Sequence, residues 1–130
     1  MSTNIKSQVT TADQKLINRF ARLHQKSVEL KEELRIAKND LANINDASDE
    51  ISLLDDECAS AIPVKIGTVF IYHNQEKADE ILERMKDEKK SFIDKHEHLS
   101  STIQDEMNYL KSELYGKFGD RINLETDKED

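Results

Sequence analysis

Four histidines, a single cysteine and 27 carboxylates are the groups in this chain best suited to chemistry. The triplet His96-Glu97-His98 suggests a divalent metal, because neutral imidazole is a common ligand. On a helix, however, residues two apart face different directions, so the two imidazoles cannot share one ion. His96 is better placed as a packing residue and His98 as a solvated one. His73 stands just before Asn74, where a helix should start, and reads as a turn or interface residue. Cys58 has no second cysteine, which excludes an internal disulfide and points weakly to a reducing compartment. No positioned base is evident to make it a nucleophile. The three glycines fall where turns and helix ends are expected and cannot form a phosphate loop. No acid–base pair rises above the background of Glu and Lys, which reads as a solvated helical face. The expectation is a protein that is not an enzyme and holds no cofactor and no metal.

The composition says what must position such residues. Of 130 residues only 36% are apolar and 35% are charged, against ~45–50% and ~25% in ordinary globular domains. That is little apolar surface for one compact core. Three Gly and one Pro are too few for a turn-rich β fold. The net charge of −8 offers no footprint for nucleic acid. It is uneven: residues 1–45 carry 8 basic and 5 acidic groups, whereas 46–57 carry six acids and no base. That acidic stretch reads either as a solvated connector or as a surface complementary to a basic neighbour. The N-terminus lacks the apolar core of a secretory signal. The longest strongly apolar run, Val69 to Tyr72, is far short of the ~20 residues that cross a membrane. A long, charged, mostly helical chain with no nucleic-acid and no membrane partner is expected.

Two helices follow from periodicity. Thr11-Ala12-Asp13-Gln14 fits a capping box, so the first helix is expected over 10–50. Its apolar seam runs Leu16, Phe20, Leu23, Ser27, Leu30, Leu34, Ala37, Leu41, Ile44, Ser48, Ile51. Asn74 suits an N-cap, so the second helix is expected over 74–115. Its seam runs Ala78, Leu82, Met85, Lys89, Phe92, His96, Leu99, Ile103, Met107, Leu110, Leu114. Steps alternating between three and four make heptads and a left-handed coiled coil. The steps 99–103–107 break the pattern with a stutter. Gly116 and Gly119 are expected to end the helix, leaving 116–130 as a tail.

Between the helices, residues 60–73 read as a β-hairpin. Ile62, Val64 and Ile66 alternate with other residues at strand period, and Gly67-Thr68 suits a two-residue type II′ turn. Two helices joined in this way should fold back antiparallel. Pairing Leu16 with Met107, Phe20 with Ile103, Leu23 with Leu99, Leu30 with Phe92, Ala37 with Met85, Leu41 with Leu82 and Ile44 with Ala78 uses one register throughout. It sets Ser27 against His96, a polar layer that helps fix that register. A lone hairpin is marginal in water, and this one bears Ile62, Val64, Ile66, Val69, Phe70, Ile71 and Tyr72. These are the expected oligomer-interface residues, since exposed edges and apolar faces seek partners.

The motifs then match a known family. Val9-Thr10…Asp13-Gln14…Ile17-Asn18…Phe20-Ala21-Arg22 is the first. Asp46-Ala47…Asp49…Ile51…Leu53…Asp55-Asp56, followed by Ile62-Pro63…Ile66-Gly67…Val69-Phe70-Ile71…His73…Gln75-Glu76, is the second. Leu114-Tyr115…Lys117-Phe118-Gly119…Ile122-Asn123-Leu124-Glu125 is the third. Together they resemble prefoldin, in particular its β-type subunits, from about residue 9 to 125. The chain departs from that pattern at Thr11-Ala12, where an aromatic and an acid are expected.

The resemblance implies a single prefoldin-like domain over 1–130. It also implies a hetero-hexamer of two α-type and four β-type subunits, whose hairpins build a shared β-barrel platform. Such a complex holds unfolded actin and tubulin in the cytoplasm and passes them to the cytosolic group II chaperonin, without ATP. Leu16 and Leu114 belong to the seam. Tyr115, Phe118, Ile122 and Leu124 fall where the partner helix runs out and, with Val9 and Ile17, are the expected client-binding residues. The alternative is a structural coiled-coil adaptor or tether, whose helices zip with another protein.

Overall fold

The computed structural model describes residues 9–55 and 57–124, with only the backbone of Asp120. Asp56, Glu125 and the acidic end of the expected tail lie outside the described residues. Helix α1 spans Thr11–Ser52, strands β1 and β2 span Ile62–Ile66 and Val69–His73, and helix α2 spans Gln75–Phe118. Single turns of 3₁₀ helix cover Cys58–Ser60 and Gly119–Arg121. Two long helices with an antiparallel hairpin between them are therefore the fold.

Each helix start has a local cause. The α1 cap is one residue earlier than the capping box read from sequence. Thr10 Oγ1 accepts the Asp13 N–H at 3.0 Å, and Asp13 Oδ2 accepts the Thr10 N–H at 3.0 Å. Gln14, expected to reach back, instead bonds forward to Asn18. At α2, Asn74 Oδ1 accepts the Lys77 N–H at 2.8 Å and the Asn74 carbonyl accepts from Ala78. Helix α1 ends at Ser52 without a glycine. Its last turn has no base and carries Asp49 and Glu50 at the negative pole of the helix, where carboxylates are unfavourable.

Helix α2 runs through Gly116 and stops at Gly119, correcting the expected end at residue 115. Only Gly119 has a positive φ, +59°, the left-handed conformation a C-terminal glycine supplies. In the hairpin, Gly67 has φ +64° and no non-glycine residue among those described is positive. This matches a type II′ turn at Gly67-Thr68. The register pairs Ile62 with His73, Pro63 with Tyr72, Val64 with Ile71, Lys65 with Phe70 and Ile66 with Val69.

The chain divides into two compact units. The terminal unit joins the segment up to Glu33 with the segment from His96 onward. Its single core holds Phe20, Leu30, Ile103, Met107, Leu110, Leu114, Phe118 and Leu124, with Leu16, Ile17, Leu23, Tyr115 and Ile122 packed against it. The hairpin unit, Leu34–Lys95, has two smaller clusters. One is Ile44, Ile51, Ile62, Ala78 and Leu82; the other is Leu34, Ala37 and Ile93. In both units the helix segments pair antiparallel. Arg19 pairs with Glu106 and Asp13 with Lys117 in the first, Asp40 with Lys89 in the second.

The α1 seam has the positions the heptads predict. The α2 seam does not in its middle. Ile93 is buried and Phe92 is 37% exposed; Met85 and Leu99 are each 41% exposed. Lys86 and Ser100 take the half-buried positions beside them. The seam therefore passes through Ile93, His96, Ser100, Ile103 and Met107 in regular heptad steps. The expected stutter at 99–103–107 is not there. Ser27 is buried on α1, while His96 is half-buried and its Nε2 lies 3.6 Å from Glu33.

Candidate functional site

The hairpin is where apolar side chains are left over. Directly opposed residues share a face, so Ile62, Val64, Ile66, Val69, Ile71 and His73 line one face. Pro63, Lys65, Phe70 and Tyr72 line the other. The base of the first face is spent inside the chain. Ile62 is buried in the core with Ile44, Ile51, Ala78 and Leu82, and Val64 packs on that cluster. Ile62 therefore leaves the expected interface set, and Val64 contributes only in part. Beyond them the surface is open: Ile66, Val69, Phe70, Ile71 and Tyr72 are all exposed, Tyr72 to 67%. Lys65 holds its ammonium 6.0 Å from the Phe70 ring. Among the described residues these two strands make the whole sheet, so each strand keeps one unpaired edge. An apolar strand with both faces and an edge uncovered is built to be covered by another chain.

Near this hairpin the connector exposes Leu53 (83%) and Leu54. Asp55 accepts the Cys58 N–H at 2.9 Å, and that bond holds its carboxyl below the usual range. The same carboxylate accepts from the Cys58 thiol and pushes its pKa up, the opposite of what a nucleophile needs. His73 has its Nε2 buried with no hydrogen-bond partner.

The terminal unit is different. Asp13 is buried, and Lys117 Nζ donates to its Oδ1 at 2.8 Å. That bond, with the Thr10 N–H, lowers the Asp13 pKa. The Lys117 ammonium also lies 5.8 Å from the Phe118 ring. Arg19 and Glu106 form a two-bond pair that lowers the Glu106 pKa and raises that of Arg19.

Of the expected client-binding residues, Phe118 and Leu124 are buried in the core, and Tyr115, Ile122 and Ile17 pack on it. Val9 is exposed. The end of the chain is thus not frayed. It folds back, and the Leu124 N–H donates to the Tyr115 hydroxyl at 3.0 Å. Beside it lies a groove of about 260 Å³ lined by Ile17, Phe20, Ala21, His24, Asn123 and Leu124. Periodicity could not show this groove, because one wall comes from beyond the last helical turn. The Asp13–Lys117 pair had a signal, since the antiparallel register brings those positions close.

Among the described residues no group of three or more His, Cys, Asp or Glu could hold a metal ion. No helix there is long and apolar enough to cross a membrane. The class that the geometry defines is a helical subunit with an unfinished apolar hairpin, made to assemble with others.

The comparisons are specific. The family profile described as prefoldin subunit matches residues 14–121. The chain is 47% identical to human prefoldin subunit 4 over 120 residues, covering 92% of this chain and 89% of the human protein. It is 34% identical to prefoldin subunit 4 of Saccharomyces cerevisiae over 119 residues, covering 92% and 91%. The crystal structure of the prefoldin beta subunit from Thermococcus strain KS-1 shares the fold. Its TM-score is 0.74 at 14% identity, over 87% of this chain and 97% of that one. The chain belongs to the prefoldin subunit family, a family of chaperones with helical coiled-coil structure.

Proposed function

We propose that this chain is a β-type subunit of a cytoplasmic hetero-hexamer, two α-type and four β-type, whose hairpins join in a shared β-barrel platform. The whole chain, 1–130, acts as one such domain. The complex holds unfolded chains such as actin and tubulin and delivers them to the cytosolic group II chaperonin, with no catalysis, ATP or other cofactor. The observation that carries this reading is the hairpin. Its exposed Ile66, Val69, Phe70, Ile71 and Tyr72 serve assembly, while the terminal unit meets clients through Tyr115, Phe118, Ile122, Leu124, Val9 and Ile17. A coiled-coil adaptor is less well supported, because each unit pairs its own two helix segments and leaves no seam free for another protein. Native mass spectrometry of the complex purified from its own cells tests the assembly: a six-chain mass with this chain present once is expected. Suppression of aggregation of guanidine-unfolded actin by that complex tests the holding activity. A monomeric chain, or a complex without effect on actin, would refute the reading.

A further inference from the structure

The described chain ends in a short non-helical strap, Ile122 to Leu124, lying back on the terminal unit. Leu124 is buried and Ile122 packs on the same core. Little polar bonding holds the strap: the Leu124 N–H to the Tyr115 hydroxyl at 3.0 Å, and a long Ile122 N–H to the Gly119 carbonyl at 3.5 Å. It does not fill its seat. The groove of about 260 Å³ remains between Ile17, Phe20 and Ala21 on α1 and Asn123 and Leu124 on the strap. An extended segment is thus already bound by an apolar side chain and a backbone amide, which is how any unfolded polypeptide with an apolar residue would be bound.

We propose that this groove is a docking site for extended apolar client segments and that Ile122–Leu124 is its resting occupant, displaced when a client binds. The inference rests on the holding function argued above and adds its regulation. A strap tethered to its seat competes through effective concentration rather than intrinsic affinity. Its few bonds place it among the segments that open at low free-energy cost. Apolar residues that would otherwise invite aggregation stay covered until a client displaces the strap. Client contact at the helix ends therefore requires the strap to open.

The test uses the complex assembled with its partner subunits and guanidine-unfolded actin as the probe. Tyr115→Phe removes the hydroxyl that holds the strap but keeps the ring. A chain stopped after Arg121 removes the strap. Both should lower the concentration that half-suppresses actin aggregation, the first by about two- to tenfold, the worth of one hydrogen bond. Ala21→Glu, at an exposed position on the groove wall, should raise it. Exchange of the Leu124 amide proton should be slow in the free complex and faster with actin bound. If Ala21→Glu lowers protection but Tyr115→Phe and the truncation do not improve it, the groove binds clients and the displaced strap is wrong. If the truncation weakens protection, the strap is itself a client contact and the proposal fails. If none of the three changes protection while the intact complex still protects, clients bind elsewhere. If even the intact complex fails to protect, the holding function itself is wrong.

Discussion

The terminal unit and the hairpin unit draw on similar helical sequence and end in opposite states. In the terminal unit the apolar residues close on themselves. Phe20, Leu110, Leu114, Phe118 and Leu124 form one core, tied by Asp13–Lys117 and Arg19–Glu106 across the helices. In the hairpin unit the cores are small, and five large apolar side chains of the strands face outward. A helix pair can satisfy its own seam because the partner stripe is in the same chain. A two-stranded sheet cannot cover two faces and two edges. The contrast teaches where the single chain is complete and where it needs others.

The largest effects should separate these states. Leu114→Ala removes one of the most buried side chains in the terminal unit and should cost about 2–5 kcal/mol, read as a lower denaturation midpoint of the chain. Tyr72→Ala, on the open hairpin, should change that midpoint by less than about 0.5 kcal/mol. Equal losses would erase the distinction between the units. Ile71→Asp should invert the pattern. It should leave helical circular dichroism intact yet abolish association with partner subunits by light scattering, since burying an Ile in a partner is worth roughly 1.5–3 kcal/mol.

Smaller effects sharpen the comparison at the helix ends. Thr10→Ala should destabilise the terminal unit by about 0.5–2 kcal/mol through loss of the cap. Asn74→Ala should do the same to the hairpin unit, seen as faster amide exchange confined to the first turn of each helix. Lowering pH should loosen the terminal unit first. The folded Asp13 pKa lies below its ordinary value, with the Lys117 bond the first cause. Its contribution is therefore present above the unfolded pKa of about 3.9 and lost as pH falls through the folded one. Lys117→Met should weaken that acid dependence in amide-exchange profiles. The smallest contrast is between two glycines. Gly116→Ala lies inside α2 with open space around the added carbon and should stabilise by about 0.5–1 kcal/mol. Gly119→Ala, at φ +59°, should destabilise.

Much of this was legible from residues alone. The α1 stripe from Leu16 to Ile51 and the antiparallel register follow from spacing, because a heptad repeat names the face that must be buried. The hairpin follows from strand-period Ile62, Val64 and Ile66 meeting Gly67-Thr68, since few residues other than glycine accept that turn's first dihedral. Its assembly role follows from apolar text that no single chain can cover.

Only the tertiary structure decided between neighbours. Phe92 and Ile93 are both apolar and adjacent, and a helix of 3.6 residues per turn drifts against a 3.5 repeat. Packing alone put Ile93 inside and Phe92 half outside. Likewise, Thr10 and Thr11 offer the same hydroxyl, and Asp13 selected Thr10 because its carboxylate reaches that N–H while held by Lys117. Ile62 reads like its strand neighbours, yet it is at the base of the hairpin, where the helices close over it. Phe118 and Leu124 stand beyond any repeat. Their burial depends on a chain reversal after Gly119, and no local period encodes what such a reversal will touch.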